Sequence, residues 1–451
     1  MRRAGGAGAS GLGDRRLTPL VSRARFFPTR FRKSSGRTRI SSTRRRLRRR
    51  LLFVYRDSTS AFRACGALRA GDRDSPPSVH VCFVNLWHPA VRDPEALVDA
   101  DLTRRGFAEA LAALGHAVTV VQEAPWSAEV RRAGVRWILV PPSNGTVAAR
   151  RALAAMGVAN PWVRAPADAP GPVVEALRPD VVHSFDLCFY PSLALLGRVT
   201  RRMGVPLLAH FHGGAPAHRL AWRAVERRAL AGVSRAFFTT RIQAAPWIRA
   251  GLAERRIVPL PETSTDLVPL PRRAPGTSLL HLGRLDPVKD PLTTLGGFSR
   301  LLRVRPEARL TLAWNEGPLE ASVRRRVAEP DLRGRVELRG RVTREEVRGL
   351  LAAADALVQA SVREVCGIAV LEALAAGVPP VVSDIPAFRM LTDHGRFGRL
   401  FPVGDPVGLA HAALVVLAER PDPRPWFARA LSFAALAPRL VAAYEEALAD
   451  P

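Results

Sequence analysis

The stretch that decides the fold is SLLHLGRLDPVKD, residues 278–290. Its first five residues predict a buried strand that ends at Leu282, and Gly283 then allows a tight turn. Two cations, Arg284 and Lys289, follow the turn. Because a guanidinium offers a planar fork to phosphate oxygens and an ammonium a point charge, the pair predicts a loop that neutralises a diphosphate without a metal. The alternative is an ordinary basic loop.

Lysine usage favours the diphosphate interpretation. The chain has 68 basic residues, of which only Lys33 and Lys289 are lysines. Arginine replaces lysine readily on a surface, but not where a compact ammonium is needed. The presence of Lys289 in this loop therefore indicates a functional role.

Strands and helices alternate on both sides of this stretch. After it, strands are predicted at residues 309–313, 336–338, 356–359 and 378–383. Before it, a helix is predicted at 102–114, and strands are predicted at 79–84, 117–121, 137–140, 181–183, 207–210 and 236–239. This alternation predicts two doubly wound parallel α/β sheets, whose ligands bind beyond the carboxyl ends of the strands.

Composition marks the boundaries between these parts. The proline-rich residues 259–271 interrupt the alternation as a linker would, and residues 426–448 predict one long helix. We therefore expect a tail at residues 1–77, a first domain at 78–270, a second domain at 271–420 and a carboxyl-terminal helix at 421–451.

The net charge of +28 is concentrated in the tail. Residues 1–77 hold 21 basic and 4 acidic residues, including an arginine-rich run at 44–50. Because like charges repel, such blocks usually stay disordered. We expect a disordered tail, or an extension that is not part of the mature protein. The alternative is an arm that tethers the chain to nucleic acid or to a membrane. The remainder carries only +11, so a nucleic-acid-binding protein is not expected.

A second motif, EVCGIAVLE, spans residues 364–372. Residues 365–376 predict a helix with Glu364 at or before its start, and Glu372 lies about two turns further on roughly the same face. Free N–H groups near Gly367 would bind anions or sugar hydroxyls. Because the helix is otherwise apolar, a buried Glu372 needs a partner such as ribose hydroxyls. The alternative is a capping glutamate and an unrelated surface glutamate.

Taken in order, these motifs resemble those of the retaining nucleotide-sugar glycosyltransferases of the GT-B fold, the family-four or group 1 type. Gly283-Arg284 with Lys289 matches the family's G-R-x4-K motif, and residues 364–372 match its E-x7-E motif. Three further family segments fall in order between them: Glu316-Gly317-Pro318, Gly340-Arg341-Val342 and Ala354-Asp355. The resemblance covers about residues 78–451. It implies two Rossmann-like domains facing each other across a cleft, the first for the acceptor and the second for the donor.

The resemblance also implies roles for individual residues. Arg284 and Lys289 would hold the donor diphosphate beside the turn at Gly283, and Glu364 would lie near the transferred sugar. Gly367 and Ile368 would offer backbone N–H groups to the sugar. Glu372 would bind the ribose, and the backbone of Val342 would contact the base. The donor would be a UDP-, GDP- or ADP-sugar, with no cofactor and no metal. The acceptor is not implied, and the last helix would cross back onto the first domain.

In the first domain, the run HFHGG at residues 210–214 follows a predicted strand. By the resemblance, His212 takes the position of a catalytic-site histidine. The alternative is a histidine that completes a loop hydrogen bond. If the strand continues, His210 is expected on the opposite face from His212, so the two are not expected to share a metal. The run NLWHP at 85–89 stands where the family has a glycine-rich loop, so acceptor recognition cannot be predicted.

The sequence departs from the family's motifs at two further places, and it contains two isolated matches to other motifs. Lys289 is followed by Asp290 rather than the family's usual glycine, and DIPAFR at 384–389 replaces the common G-G-x-x-E. The GxGxxG match at 6–11 follows no strand and predicts no nucleotide site. Asp99-Ala100-Asp101 has the spacing of metal-dependent sugar transfer, but it stands at the start of a helix and is predicted to cap it.

The expected protein is therefore a metal-independent, retaining glycosyltransferase. The cysteines show no CxxC spacing, and no apolar run reaches the ~18 residues of a membrane span. We expect it in the cytoplasm or peripheral to the inner face of a membrane. The alternatives are a phosphorylase or sugar-phosphate synthase of the same fold, and a non-catalytic protein that binds sugar nucleotides.

Overall fold

The computed structural model describes residues 78–86, 91, 93–158, 160–216, 220–263, 270–271, 274 and 276–450. The predicted tail at 1–77 and its GxGxxG match lie outside the described residues. Trp87, His88 and Pro89 of the NLWHP run, which stands in place of the family's glycine-rich loop, also lie outside them.

The first sheet contains eight strands, β1 to β8, among the described residues. They are His80–Asn85, Ala117–Glu123, Ala128–Arg132, Val135–Val140, Val181–Ser184, Leu207–His210, Arg235–Phe238 and Ile257–Pro259. Their spatial order is β3-β4-β2-β1-β5-β6-β7-β8. Of these eight described strands, only β3 runs antiparallel, against β4. The predicted strands form, and β3 and β8 were not predicted because each is short and partly exposed.

In the described part of the second domain, the second sheet contains six strands, β9 to β14, and their neighbouring pairs are parallel. They are Ser278–Leu282, Arg309–Ala313, Val336–Gly340, Ala356–Gln359, Pro380–Ser383 and Arg399–Phe401. Their order is β11-β10-β9-β12-β13-β14, so β9 lies near the middle of the sheet. β9, the strand of the stretch at 278–290, therefore ends at the central part of the sheet's carboxyl edge, where doubly wound sheets bind ligands.

Helices cover the faces of both sheets. In chain order, α1 to α8 are Pro94–Ala100, Leu102–Ala113, Asn144–Ala155, Pro161–Arg164, Pro170–Leu177, Tyr190–Met203, Leu220–Ala231 and Ala245–Ala250. The helices α9 to α16 are Pro291–Leu302, Glu320–Val327, Arg344–Ala353, Ile368–Ala376, Pro386–Leu391, Pro406–Glu419, Arg424–Ala430 and Phe433–Ala449. Two 3₁₀ turns, Arg241–Ala244 and Glu254–Arg256, flank α8.

The prediction of one long carboxyl-terminal helix is wrong, because the segment forms two helices, α15 and α16. Ser432 lies between them in an extended conformation, and its hydroxyl accepts a hydrogen bond from the Ala435 N–H at 3.2 Å. A serine in this position caps a new helix rather than continuing the old one. Hydrophobic periodicity alone did not reveal the cap, since apolar residues continue across the break.

The helix α16 packs onto the first sheet. Its Leu436, Leu440 and Tyr444 share a buried cluster with Val81 of β1 and Phe107 of α2. The Tyr444 hydroxyl lies 2.8 Å from His183 Nδ1 on β5, a hydrogen bond between groups 261 residues apart. The end of the chain thus completes the hydrophobic core of the first sheet.

Candidate functional site

The loop after β9 is shaped by close packing and by one aspartate. A Cβ on Gly283 would lie 3.3 Å from Gln359 Nε2, so glycine permits the turn. Asp286 Oδ1 accepts hydrogen bonds from the N–H groups of Val288 and Lys289, at 3.0 and 2.9 Å. Arg284 Nη2 lies 3.0 Å from Asp286 Oδ2, and its side chain is 50% exposed. The arginine therefore keeps donors available at the rim of the loop.

The departure at Asp290 has a structural reason. Its φ is 44°, in the left-handed region, which aspartate tolerates better than most residues. Its carboxylate accepts hydrogen bonds from Thr293 N at 3.1 Å and from the Thr293 hydroxyl at 2.6 Å. Asp290 thus caps α9 and makes the sharp exit from the loop after β9 without glycine.

The structure brings Lys289 and Glu364 together. Lys289 Nζ contacts Glu364 Oε1, and the hydroxyl of Ser361 donates to the same oxygen at 2.8 Å. The side chains are only 17% and 11% exposed, respectively. The Val362 N–H also donates to the Val288 carbonyl at 2.8 Å, which joins the two loops through the backbone. The two sequence motifs, 75 residues apart, therefore form one site at the carboxyl edge of the second sheet.

The helix that follows begins later than predicted, at Ile368 rather than at residue 365. Gly367 precedes it with a φ of 106°, and a Cβ there would lie 2.7 Å from Phe388 Cε1. This left-handed conformation interrupts any helix that starts earlier. Glu364 is consequently not on the helix, and the expectation that Glu364 and Glu372 share one helical face is wrong. The first N–H groups of α12 still have no acceptor within the helix.

Glu372 lies inside α12 and is 5% exposed. It has a cationic partner, since Arg344 Nη1 at the start of α11 contacts Glu372 Oε1. Val342 lies two residues before that arginine and is half-buried. The two residues expected to meet the ribose and the base therefore lie near one another, with Arg344 beside them.

On the first sheet, His212 follows the end of β6. Its Nδ1 lies 2.7 Å from Glu262 Oε1, but the angle between the two groups is too far from linear for a hydrogen bond. Its Nε2 is buried and has no hydrogen-bond partner among the described residues. The expectation that His210 and His212 point to opposite faces is wrong. Their ring centroids are 5.0 Å apart, because residues two apart in an extended chain share a face.

His210 belongs to a buried aromatic stack. Its ring stacks on His183 with centroids 5.8 Å apart and on Phe185 at 5.6 Å. Burial lowers the pKa of His183 to about 3, with a smaller contribution from the His212 charge, and burial also lowers the pKa of His210. Both imidazoles are therefore uncharged at physiological pH, and the His210 ring packs against His212.

Sequence reasoning missed a buried polar network beside His212. Asn85 Nδ2 and Arg104 Nη1 each donate to the Asp101 carboxylate at 2.9 Å. Asp186 follows β5, accepts from the Leu86 N–H at 2.9 Å and lies 3.9 Å from Arg104 Nη2. Burial raises the pKa of the Asp186 carboxyl, and the Arg104 charge opposes this shift. The available signal was the position of Asp186 two residues beyond the carboxyl end of the buried strand β5.

The prediction that the Asp99-Ala100-Asp101 run caps a helix is confirmed. Asp101 is the N-cap of α2 and accepts from the Arg104 N–H at 3.4 Å. Asp99 lies at the end of α1, where it pairs with Arg105 at 2.8 Å and contacts Arg132. In the part of the chain that the structure describes, no group of three or more His, Cys, Asp or Glu residues is arranged to hold a metal. No helix in that part is long and apolar enough to span a membrane.

Comparison with known proteins identifies related sequences for both halves. The family described as glycosyl transferases group 1 matches residues 276–419, and the glycosyl transferase 4-like domain matches residues 102–263. A GDP-mannose-dependent alpha-(1-6)-phosphatidylinositol dimannoside mannosyltransferase of Mycobacterium tuberculosis is 30% identical over 276 residues, covering 55% of this chain and 68% of that protein.

A further relative and a solved structure extend the comparison. The GDP-mannose:cellobiosyl-diphosphopolyprenol alpha-mannosyltransferase of Xanthomonas oryzae pv. oryzae is 36% identical over 124 residues, 27% of this chain. This match spans about a third of that relative, 33% of its length. The structure of Anabaena HepE in complex with UDP and glucose aligns with a TM-score of 0.55 at 15% identity, covering 83% of this chain and 100% of HepE. This likeness concerns the fold and confirms the predicted fold class.

Proposed function

The chain belongs to the glycosyl transferases group 1 family, and from this membership we propose that it moves a sugar from a nucleoside-diphosphate sugar to an acceptor, with retention and without a metal. The observation that carries the proposal is the contact between Lys289 and Glu364. It joins a cationic loop and a carboxylate at the sheet edge where doubly wound folds bind ligands.

The donor diphosphate would bind Arg284 and Lys289. As the glycosidic bond breaks, negative charge grows on the leaving diphosphate and the sugar becomes oxocarbenium-like. Preoriented cations stabilise that charge most strongly where water is excluded. Lys289 is mostly buried, whereas the half-exposed Arg284 can swing onto the phosphates. These two side chains would supply the positive charge that a metal supplies in other transferases.

The transferred sugar would lie between the two sheets. Glu364 and the N–H groups at the start of α12, beside Gly367 and Ile368, would contact its hydroxyls from one side. His212, whose side chain is 22% exposed, would approach it from the other side. Domain closure around this sugar would exclude water, which otherwise hydrolyses the donor.

GDP-mannose is the donor we propose. The two relatives described above are both named for GDP-mannose. In this chain, Glu372 would accept from the ribose hydroxyls and the backbone at Val342 would meet the base. Arg344 beside Glu372 would orient that carboxylate.

For the acceptor, we propose a lipid-linked saccharide, since the names of the same two relatives contain a diphosphopolyprenol and a phosphatidylinositol acceptor. The acceptor hydroxyl would enter near His212 and the buried Asp186. The protein would then work at a membrane surface on the cytoplasmic side, as a peripheral protein.

A thermal-shift screen of the full chain tests the proposed function. A ligand that binds only the folded protein at 100 times its Kd stabilises it by about 2.7 kcal/mol. We expect GDP and GDP-mannose to raise the Tm more than UDP, ADP and their sugars. Absence of a shift with every nucleoside diphosphate would exclude the proposal. Binding without sugar transfer to any lipid-linked acceptor would instead favour the non-catalytic alternative.

A further inference from the structure

Gln243 connects the first domain to residues 364–366 of the second, the segment before α12 that is called the donor loop below. It lies in the 3₁₀ turn Arg241–Ala244, after β7 of the first sheet. Its side-chain Nε2 donates to the Glu364 carbonyl at 2.8 Å and to the Val365 carbonyl at 2.7 Å. An amide nitrogen carries two hydrogens, so one side chain satisfies both carbonyls.

The orientation of the Gln243 amide is determined by its surroundings. On the opposite side, Oε1 accepts a hydrogen bond from the Thr240 N–H at 3.0 Å. Because an N–H faces one end of the amide and two carbonyl oxygens face the other, only one orientation satisfies all three contacts. Gln243 therefore caps its own turn and holds the donor loop at the same time.

The two carbonyls that accept hydrogen bonds from Gln243 are the ones that would accept helical hydrogen bonds if α12 began earlier. In an α-helix the N–H of residue i donates to the carbonyl of residue i−4. The Glu364 carbonyl would then accept from Ile368 N–H, and the Val365 carbonyl from Ala369 N–H. By engaging both carbonyls, Gln243 keeps them away from the first N–H groups of α12. The late helix start at Ile368 agrees with this arrangement.

Neighbouring contacts support the same loop from the first domain. The Cys366 thiol donates to the Glu262 carbonyl at 3.4 Å, and Val365 packs against the buried cluster that includes Phe211 and Trp247. Three consecutive residues, Glu364, Val365 and Cys366, thus contact the first domain. Gln243 is the side chain among these contacts that engages polar backbone groups of both Glu364 and Val365.

We propose that Gln243 is a positioning residue, which holds the start of α12 open so that its N–H groups face the transferred sugar. This inference rests on the proposed function, because it assigns those N–H groups to the donor sugar. Gln243 itself touches no substrate. It acts through the backbone of the donor loop and makes the first domain part of the donor site.

The variant Gln243→Glu separates the two roles of the side chain. A glutamate keeps an oxygen for the Thr240 N–H but loses both donors to the loop carbonyls. We expect kcat for transfer to fall by about 10- to 100-fold, since two hydrogen bonds are lost and a carboxylate faces two carbonyls. The Kd for GDP should stay within about twofold, because Arg284, Lys289 and Glu372 are untouched. The matched control is Ser143→Ala, which removes the N-cap of α3 in the same domain and should leave kcat unchanged.

The pH dependence provides a second readout. The nearby carbonyls favour the protonated form of the new glutamate, and its O–H then restores one donor. We therefore expect the ratio of Gln243→Glu activity to wild-type activity to rise as the pH falls from 8 to about 5.5. A variant that merely destabilised the fold would show a constant or falling ratio.

Hydrogen exchange measured on the full chain completes the test. In the unliganded Gln243→Glu protein, we expect slower exchange at Ile368 and Ala369, because the freed carbonyls can accept their N–H groups. Unchanged exchange together with unchanged kcat would overturn the inference. If wild-type protein fails to bind GDP, the proposed function fails, and the exchange comparison alone still decides whether Gln243 holds the helix start open.

Discussion

Lys289 Nζ contacts Glu364 Oε1, and this ion pair links the loop after β9 to the loop before α12. With Ser361 donating to the same carboxylate, the pair holds an ammonium in place at the carboxyl edge of the second sheet. A donor diphosphate carries more negative charge than one carboxylate, so it would compete for the ammonium when it binds. In the proposed donor site, the ion pair would keep the two loops together before the donor arrives.

Replacing this ammonium should remove most of the activity. We expect Lys289→Met to lower kcat/KM for transfer by about 100-fold or more, because a positioned charge facing the leaving group is lost. Release of GDP from GDP-mannose, followed in a coupled assay, measures the effect. The control is Arg324→Met, since Arg324 forms an exposed pair with Glu320 on α10 and should be dispensable. Wild-type turnover in Lys289→Met would refute the assigned diphosphate contact.

Glu372 is predicted to distinguish ribose from deoxyribose. If its carboxylate accepts from the ribose hydroxyls, wild-type protein should bind GDP about tenfold more tightly than dGDP. Glu372→Ala, which removes every side-chain acceptor at this position, should weaken GDP binding and bind GDP and dGDP about equally. Calorimetric titration of both nucleotides into both proteins gives the four Kd values. A preference for GDP that survives the substitution would assign the ribose to another residue.

Buried His281 should make the protein less stable in acid. Burial, with a smaller contribution from the Lys289 charge, lowers the pKa of His281 to about 4, below the value of about 6.5 in an unfolded chain. Between these values the unfolded chain binds more protons, so stability falls as the pH drops, by up to ~1.4 kcal/mol per pH unit. In His281→Leu, urea unfolding at pH 7 and pH 5 should show a smaller loss. An equal loss in both proteins would mean that His281 does not titrate on unfolding.

The hydrogen bond between Tyr444 and His183 should stabilise the packing of α16. Tyr444→Phe removes the buried hydroxyl that pairs with His183 and leaves its ring in place, so the free energy of unfolding should fall by about 1 kcal/mol. Urea unfolding followed by tryptophan fluorescence measures the change. Leu448→Ala on the same helix is the control, because Leu448 is exposed and should change stability by less than about 0.5 kcal/mol. An equal effect of the two substitutions would argue against a role for the hydrogen bond.

Local patterns in the sequence predicted much of the fold. Strand periodicity located the ends of β9 and β12, and the doubly wound order placed both ends at one edge of a sheet. The proximity of Lys289 and Glu364 follows from these two facts. The helix start at 365 was mispredicted because Gly367 has a left-handed φ and the Glu364 and Val365 carbonyls bind Gln243, 121 and 122 residues away. Local propensity contains no information about such a partner.

The same limit applies to charged partners. Arg344 meets Glu372 and Arg104 lies near Asp186 only after folding, and neither pair has a characteristic spacing in the sequence. The sequence pattern correctly indicated that a buried carboxylate at Glu372 needs a partner. It did not show that an arginine of this chain already supplies one.

Calorimetric titration of GDP-mannose into the wild-type chain and into Lys289→Met tests the central claim most directly. We predict saturable binding to the wild-type chain and an affinity at least about tenfold lower for the variant, with Arg324→Met unchanged. Equal affinities for wild-type and Lys289→Met protein, or no binding to the wild-type chain, would contradict a donor site built around Lys289 and Glu364.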